Sequence, residues 1–154
     1  MFIGEYNVSI DSKGRVCIPA KIREIIAQKY NDGKMILTLG LDGCLALYPY
    51  EEWEKIAMNL KQKIPLSLRT GRILERSFFR NAIECSIDKQ GRIVIPPKLR
   101  RAALIIKDVV IIGVQNRMEI WSKEAIETYD VEFEDSSIGE SLEELYDRIG
   151  NLQF

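Results

Sequence analysis

The chain contains no histidine at all and only three cysteines among its 154 residues. Without histidine, the commonest general base and the commonest metal ligand are both missing. A zinc site would have to draw on the scattered cysteines, and no C-x-x-C spacing exists among them. An odd cysteine count argues against a disulfide framework. Cys17 and Cys85 instead fall at apolar positions of a repeated pattern and read as small core residues. No apolar run approaches the roughly 20 residues that a bilayer-spanning helix needs. Met1-Phe2-Ile3-Gly4-Glu5 lacks a basic leader and a long apolar segment, so no secretion signal is expected. G-x-S-x-G, the P-loop and the dinucleotide fingerprint are absent. Glu51-Glu52 and Glu143-Glu144 are paired carboxylates, but both fall on helix faces expected to be exposed, where nothing marks a shifted pKa. The expectation is therefore no catalytic residue, metal, cofactor, small-molecule substrate or membrane partner.

A net charge of −1 at first argues against nucleic acid. The distribution changes that. Residues 131–154 hold seven acids (Glu132, Glu134, Asp135, Glu140, Glu143, Glu144 and Asp147) against Arg148, a net of −6. Of 22 basic and 23 acidic groups, 21 and 16 remain in residues 1–130, a net of +5. A basic body with an acidic tail can still present a local binding field.

What the chain does have is a repeat. Val8-Ser9-Ile10-Asp11-Ser12-Lys13-Gly14-Arg15-Val16-Cys17-Ile18-Pro19 returns as Cys85-Ser86-Ile87-Asp88-Lys89-Gln90-Gly91-Arg92-Ile93-Val94-Ile95-Pro96. The offset is 77 residues, with seven of twelve positions identical. Such density argues for two copies of one structural unit. Asp11 suits the first position of a type I turn, because its carboxylate accepts backbone N–H bonds. Gly14 stands where a positive φ is cheap only for glycine. Ser9-Ile10 and Val16-Cys17-Ile18 therefore read as strands of a tight hairpin, bulged at Gly14 and with Arg15 near its tip. Pro19 and Pro97 open helices carrying Ile22, Ile25 and Ile26, and Leu99, Ala102 and Ala103, at helical spacing.

The chain continues in order from there. The first helix, from about Ala20 to Tyr30, stops before Asn31-Asp32-Gly33, with Gly33 the expected cap. A second hairpin turns at Gly40-Leu41-Asp42-Gly43, and a helix from Pro49 to Pro65 carries Trp53, Ile56, Ala57 and Leu60 on one face. The connector Lys61–Arg80 holds six basic groups against Glu75. Ile73, Leu74 and Phe78 offer a helix stripe there, with Gly71 weakening its start. The connector is either a second basic surface near a polyanion or a solvated helix whose arginines pair with neighbouring acids. In the second copy, Val109–Val114 and Met118–Trp121 flank a turn at Gln115-Asn116-Arg117. Ser141-Leu142-Glu143-Glu144 fits a capping box ahead of Leu145, Tyr146 and Ile149 in the tail, with Gly150 as a stop.

The paired Asp-x-x-Gly-Arg-x-x-Ile-Pro segments resemble the AbrB-type swapped-hairpin DNA-binding unit. Two copies in a chain that opens Met-Phe-Ile-Gly-Glu-Tyr, with Pro49-Tyr50-Glu51-Glu52-Trp53 and Arg76-Ser77-Phe78-Phe79, resemble the MraZ family of bacterial transcriptional regulators. The resemblance implies an α+β, β-rich fold. It would hold two tandem swapped-hairpin β-barrel units with flanking helices, at 5–52 and 81–124, a basic helical connector at 53–80 and an acidic helical tail at 125–154. It implies double-stranded DNA as partner, at short promoter direct repeats of the division and cell-wall operon, a ring-shaped homo-oligomer, and a place in the cytoplasm and nucleoid. Arg15 and Arg92 match the family's DNA-contacting arginines, and Arg23 and Arg100 match basic helix positions of related proteins. Lys13 is the neighbouring turn base, replaced by Gln90 in the second copy, where the base moves to Lys89. Two structural alternatives stand beside these assignments: ion pairs Arg15–Asp11 and Arg92–Asp88 that steady the turns, and Arg23 and Arg100 stems that cover apolar surface. A rival reading of the whole chain is an antitoxin-like interaction module that uses the acidic tail.

Overall fold

Thirteen elements form where the β-prone runs and helical spacings lie, in a computed structural model that describes residues 1–30, 33–133, 144–145 and 147–148. The first copy gives β1 (Glu5–Ser9), β2 (Arg15–Cys17), α1 (Ala20–Lys29), β3 (Lys34–Leu39) and β4 (Leu45–Pro49). Helices α2 (Tyr50–Lys63) and α3 (Arg69–Arg80) follow. The second copy gives β5 (Ile83–Ser86), β6 (Arg92–Val94), α4 (Pro97–Ala102), β7 (Asp108–Val114) and β8 (Arg117–Ser122), and α5 (Lys123–Phe133) closes the series. Met1–Lys123 and Glu124–Phe154 are separate compact parts. The capped helix expected from Ser141 and its stripe lie outside the described residues, except that Glu144, Leu145, Asp147 and Arg148 are helical. No helix of the described residues is long and apolar enough to cross a membrane.

The two copies interleave. One sheet runs β1-β7-β8-β4-β3-β5, and a two-stranded ribbon pairs β2 with β6, all antiparallel. Exchanging the copies turns the six-strand order into itself. Strand β1 completes the second copy's β7–β8 hairpin, and β5 completes the first copy's β3–β4 hairpin. The expected tight turn at Asp11 forms, bulged at Gly14, but its strands do not extend as a local hairpin. Its two flanking runs share only the Ile10↔Val16 bridge, and each then pairs with the other copy. The reason is burial: a unit of about 50 residues struggles to bury enough core alone, and pairing across copies gives both units one core.

That core lies between ribbon, sheet and helices. Val16, Ile18, Ile93 and Ile95 enter it from the ribbon side, and Leu37, Leu45, Leu47, Ile111, Met118 and Ile120 from the sheet. Ile22, Ile26, Leu99 and Ala103 enter from α1 and α4. Each fully buried aliphatic side chain contributes about 1.5–3 kcal/mol relative to exposure.

Several expectations fail for local reasons. Cys17 is exposed, because strand alternation turns Val16 inward and its neighbour outward. Its counterpart Val94 is likewise 53% exposed. Cys85 does pack, partly buried, against the core. Ala102 faces solvent while Leu99 and Ala103 are buried. Glu52, read as exposed, is buried: it accepts the Tyr30 hydroxyl at 2.9 Å and lies 3.4 Å from Lys55 Nζ. Burial, then Glu52, pushes the Tyr30 phenol up to about 12, so it stays a donor. Tyr30, not Gly33, caps α1, its N–H donating to Ile26 O at 2.9 Å while its ring stacks on Phe2 at 6.2 Å. In α3, Phe78 stacks on Trp53 at 4.6 Å, but Ile73 and Leu74 stay 50% and 56% exposed. Gly71 is buried in the first turn of α3, where a Cβ would collide with the Pro65 carbonyl. It is needed for close approach rather than merely tolerated.

Candidate nucleic-acid interface

Each Asp-x-x-Gly-Arg turn is held by its aspartate. Asp11 Oδ1 accepts the backbone N–H groups of Lys13 and Arg15, both at 2.9 Å, and Oδ2 accepts Arg15 Nε at 2.7 Å. Asp88 repeats this with Gln90 N at 2.8 Å, Arg92 N at 2.9 Å and Arg92 Nε at 3.1 Å. Gly14 N donates to Asp11 O at 3.0 Å and Asp11 N to Arg15 O at 2.9 Å, with Gly14 at φ +78° as the bulged residue. The backbone N–H groups of Arg15 and Arg92 are the main cause that holds the Asp11 and Asp88 carboxyls below their usual range; the arginine side chains add to it. The ion pairs weighed from sequence are therefore present. Each engages its arginine through Nε, and they form on a solvated surface where such pairs add little stability.

The ribbon places both arginines on one face. Arg15 lies opposite Val94, and Cys17 opposite Arg92, flanking the inward pair Val16↔Ile93. Alternation then sets Arg15, Cys17, Arg92 and Val94 outward together. The other sequence-chosen cations join them by exchange. The Arg100 guanidinium of α4 lies over the first copy's turn, 3.0–3.2 Å from where a Gly14 Cβ would sit. The Arg23 guanidinium of α1 lies over Gly91 of the second copy, 2.7–2.8 Å from where a Gly91 Cβ would sit. The backbone crosses likewise: Ile18 N donates to Gly91 O and Ile95 N to Gly14 O, both at 2.8 Å. Lys13 and Lys89 are exposed beside their turns.

Six residues thus form two centres. One holds Lys13, Arg15 and Arg100, the other Lys89, Arg92 and Arg23. Sequence reasoning assigned the members but not this partnership, in which each helix arginine serves the opposite copy's turn. It also passed over Lys98 and Arg101 of α4. The signal was available: at an offset of 77, Arg101 stands where the first copy has Glu24.

Among the described residues no group of three or more histidine, cysteine or acidic side chains could hold a metal ion. What the ribbon and its crossing arginines offer is a set of guanidinium and ammonium donors, suited to phosphate oxygens and base edges.

A family model described as "MraZ protein, putative antitoxin-like" matches residues 1–77 and again 78–149, the spacing of the repeat. The chain is 50% identical over 149 residues to the transcriptional regulator MraZ of Thermoanaerobacter sp. (strain X514), covering 94% of this chain and 99% of that protein. It is 49% identical over 146 residues to the transcriptional regulator MraZ of Clostridium tetani, at the same coverages. Against that of Pelotomaculum thermopropionicum the identity is 44% over 152 residues, covering 99% of this chain and 97% of the relative.

Proposed function

The chain belongs to the MraZ family, and from that premise we propose that it is a non-enzymatic, DNA-binding regulator of transcription. Its target is duplex DNA carrying short direct repeats, at the promoter of the division and cell-wall operon, within the cytoplasm and nucleoid. The observation that carries this reading is the β2–β6 ribbon, whose outer face bears Arg15 and Arg92. The major groove admits a two-stranded ribbon, and arginine suits bidentate contact with guanine. Lys13, Lys89, Arg23 and Arg100 supply phosphate contacts around it. Units 5–52 and 81–124 close barrel-like around their shared core, joined by the connector 53–80, with 125–154 as the tail.

One ribbon makes few contacts, so affinity at a single site is low, and a ring of copies along repeated sites raises it by avidity. The exposed Leu66, Leu68, Leu74 and Phe79 support a contact between copies. The test is fluorescence anisotropy with promoter fragments across a salt series. Binding should weaken steeply with salt as condensed counterions are released, and a flat titration would speak against phosphate contact.

A second reading is favoured by the family's antitoxin-like description and the net −6 of residues 131–154: the tail engages a protein partner. Deleting those residues discriminates. Loss of a partner or of assembly, with DNA binding intact, assigns the tail to protein contact, whereas unchanged assembly and interactions remove that role.

A further inference from the structure

The two interface centres differ in what lies beyond them. Helix α4 carries Lys98, Arg100 and Arg101, whereas the aligned positions of α1 are Lys21, Arg23 and Glu24. Arg23 Nε is held by the Ile18 carbonyl at 3.0 Å. Arg100 Nε, its counterpart, is buried with no hydrogen-bond partner. A buried, unspent guanidinium donor is costly to keep, and it sits beside the Asp11 turn, not the Asp88 turn.

Helices α4 and α3 also border a common cleft. Lys98 lines a cleft of about 350 Å³ together with Ile73, Arg76, Ser77, Arg80 and Asn81. Among the described residues Arg76, Arg80 and Lys98 form no ion pair with any acid, against the expectation that the connector's arginines pair with neighbours. Arg72, Arg76 and Arg80 recur at four-residue spacing on α3, where like charges repel. Arg72 alone is anchored, its Nη1 donating to Leu66 O at 2.9 Å. An anion in the cleft would relieve this repulsion and accept from the Ser77 hydroxyl as well, beside the Asn81 amide, which donates to Ser77 O at 2.8 Å.

We propose that the α3–α4 cleft grips a backbone phosphate of the same DNA whose groove the ribbon enters, extending the Asp11 centre on one side only. This rests on the DNA-binding reading above and deepens it. The clamp gives an otherwise pseudo-symmetric body a direction, so a chain built of two matched copies favours direct over inverted repeats.

The test compares the wild-type chain with Arg76→Gln/Arg80→Gln and with Arg76→Lys/Arg80→Lys. The plot of log binding constant against log salt should flatten by about 0.9 for each phosphate that the Gln variant no longer neutralises, equally on specific and unrelated sequences. The Lys variant should keep most of the slope. A Gln variant that assembles as the wild type does and keeps the full slope overturns the clamp while leaving the DNA reading intact. A variant that instead loses its assembly overturns it too, by placing these arginines between copies. If the wild type binds no DNA, both readings fall. A measurement without substitution covers misfolding: DNA should shield Arg76 and Arg80 from phenylglyoxal, read by peptide mass, and modification equal with and without DNA contradicts the clamp.

Discussion

At the Asp11 turn, Arg15 Nε lies 2.7 Å from its carboxylate, and the crossing Arg100 keeps a buried Nε without a partner. At the Asp88 turn the pair is 3.1 Å long, and the crossing Arg23 is tied to Ile18 O at 3.0 Å. The backbone bonds of the two turns are the same. The difference lies in side chains from the other copy, in Lys13 against Gln90, and in Arg101 against Glu24. Duplication preserved the turn as a scaffold and let its surroundings diverge: both turn arginines pair with their aspartates, but one crossing arginine leaves its Nε unspent and the other spends it on an internal bond.

Substituting each turn arginine tests the comparison most severely. Arg15→Ala should cost about 1–3 kcal/mol of specific DNA binding if the side chain reads a base. Arg92→Ala should cost less, as a titration of both variants on one fragment will show. Equal losses would erase the distinction between centres. An unchanged Arg15→Ala would remove that residue from the site.

The glycines come next. Gly14→Ala and Gly91→Ala each force a non-glycine residue to φ near +80°, a strain of about 1–3 kcal/mol, measurable by thermal or denaturant unfolding. Gly91→Ala also displaces the Arg23 guanidinium and so should break its bond to Ile18. Gly14→Ala presses on Arg100, which has no such bond to lose, and on the Ile95 carbonyl at 3.1 Å. The unfolding cost of Arg23→Ala should likewise exceed that of Arg100→Ala by about 1 kcal/mol, the net value of one hydrogen bond. The reverse order would deny the structural asymmetry.

The smallest effect is shared by both turns. Asp11 and Asp88 carry carboxyls lowered by the hydrogen bonds they accept. Their contribution is present above the ordinary carboxylate range and is lost as the pH falls through the depressed folded values. Asp11→Asn should therefore flatten the acid limb of a melting-temperature profile and leave the neutral limb's shape alone. An unaltered acid limb would mean the turn does not depend on that charge.

Much of this was legible in the chain, because the repeat carries its own physics. Asp and Gly at fixed spacing imply the turn, the prolines mark the helix starts, and Ile22 and Ile26 or Leu99 and Ala103 mark the buried faces. The swapped-hairpin resemblance implies interleaved units, but which strands pair was not legible in the residue pattern itself. Ser9-Ile10 and Val16-Cys17-Ile18 suit a local hairpin equally well, and only the shared core makes cross-copy pairing the better solution. Cys17 was misplaced because a three-residue ribbon alternates, whereas a short apolar run suggests full burial. Glu52 looked exposed because the Tyr30 hydroxyl that accommodates it is 22 residues away. The site residues could be chosen one by one, yet Arg23 meeting Gly91, and Arg100 meeting Gly14, are products of the interleaving.

Cys17 offers the most direct measurement of the central claim, that the outer face of the β2–β6 ribbon lies against DNA. Its thiol is exposed on that face. Burial pushes the Cys44 thiol up to about 12 and the Cys85 thiol up to about 11, so a photoactivatable thiol reagent will favour Cys17. Labelled protein, irradiated on a bound promoter fragment, should crosslink to the duplex through that residue. Bound protein that yields no DNA adduct at Cys17 would contradict the account.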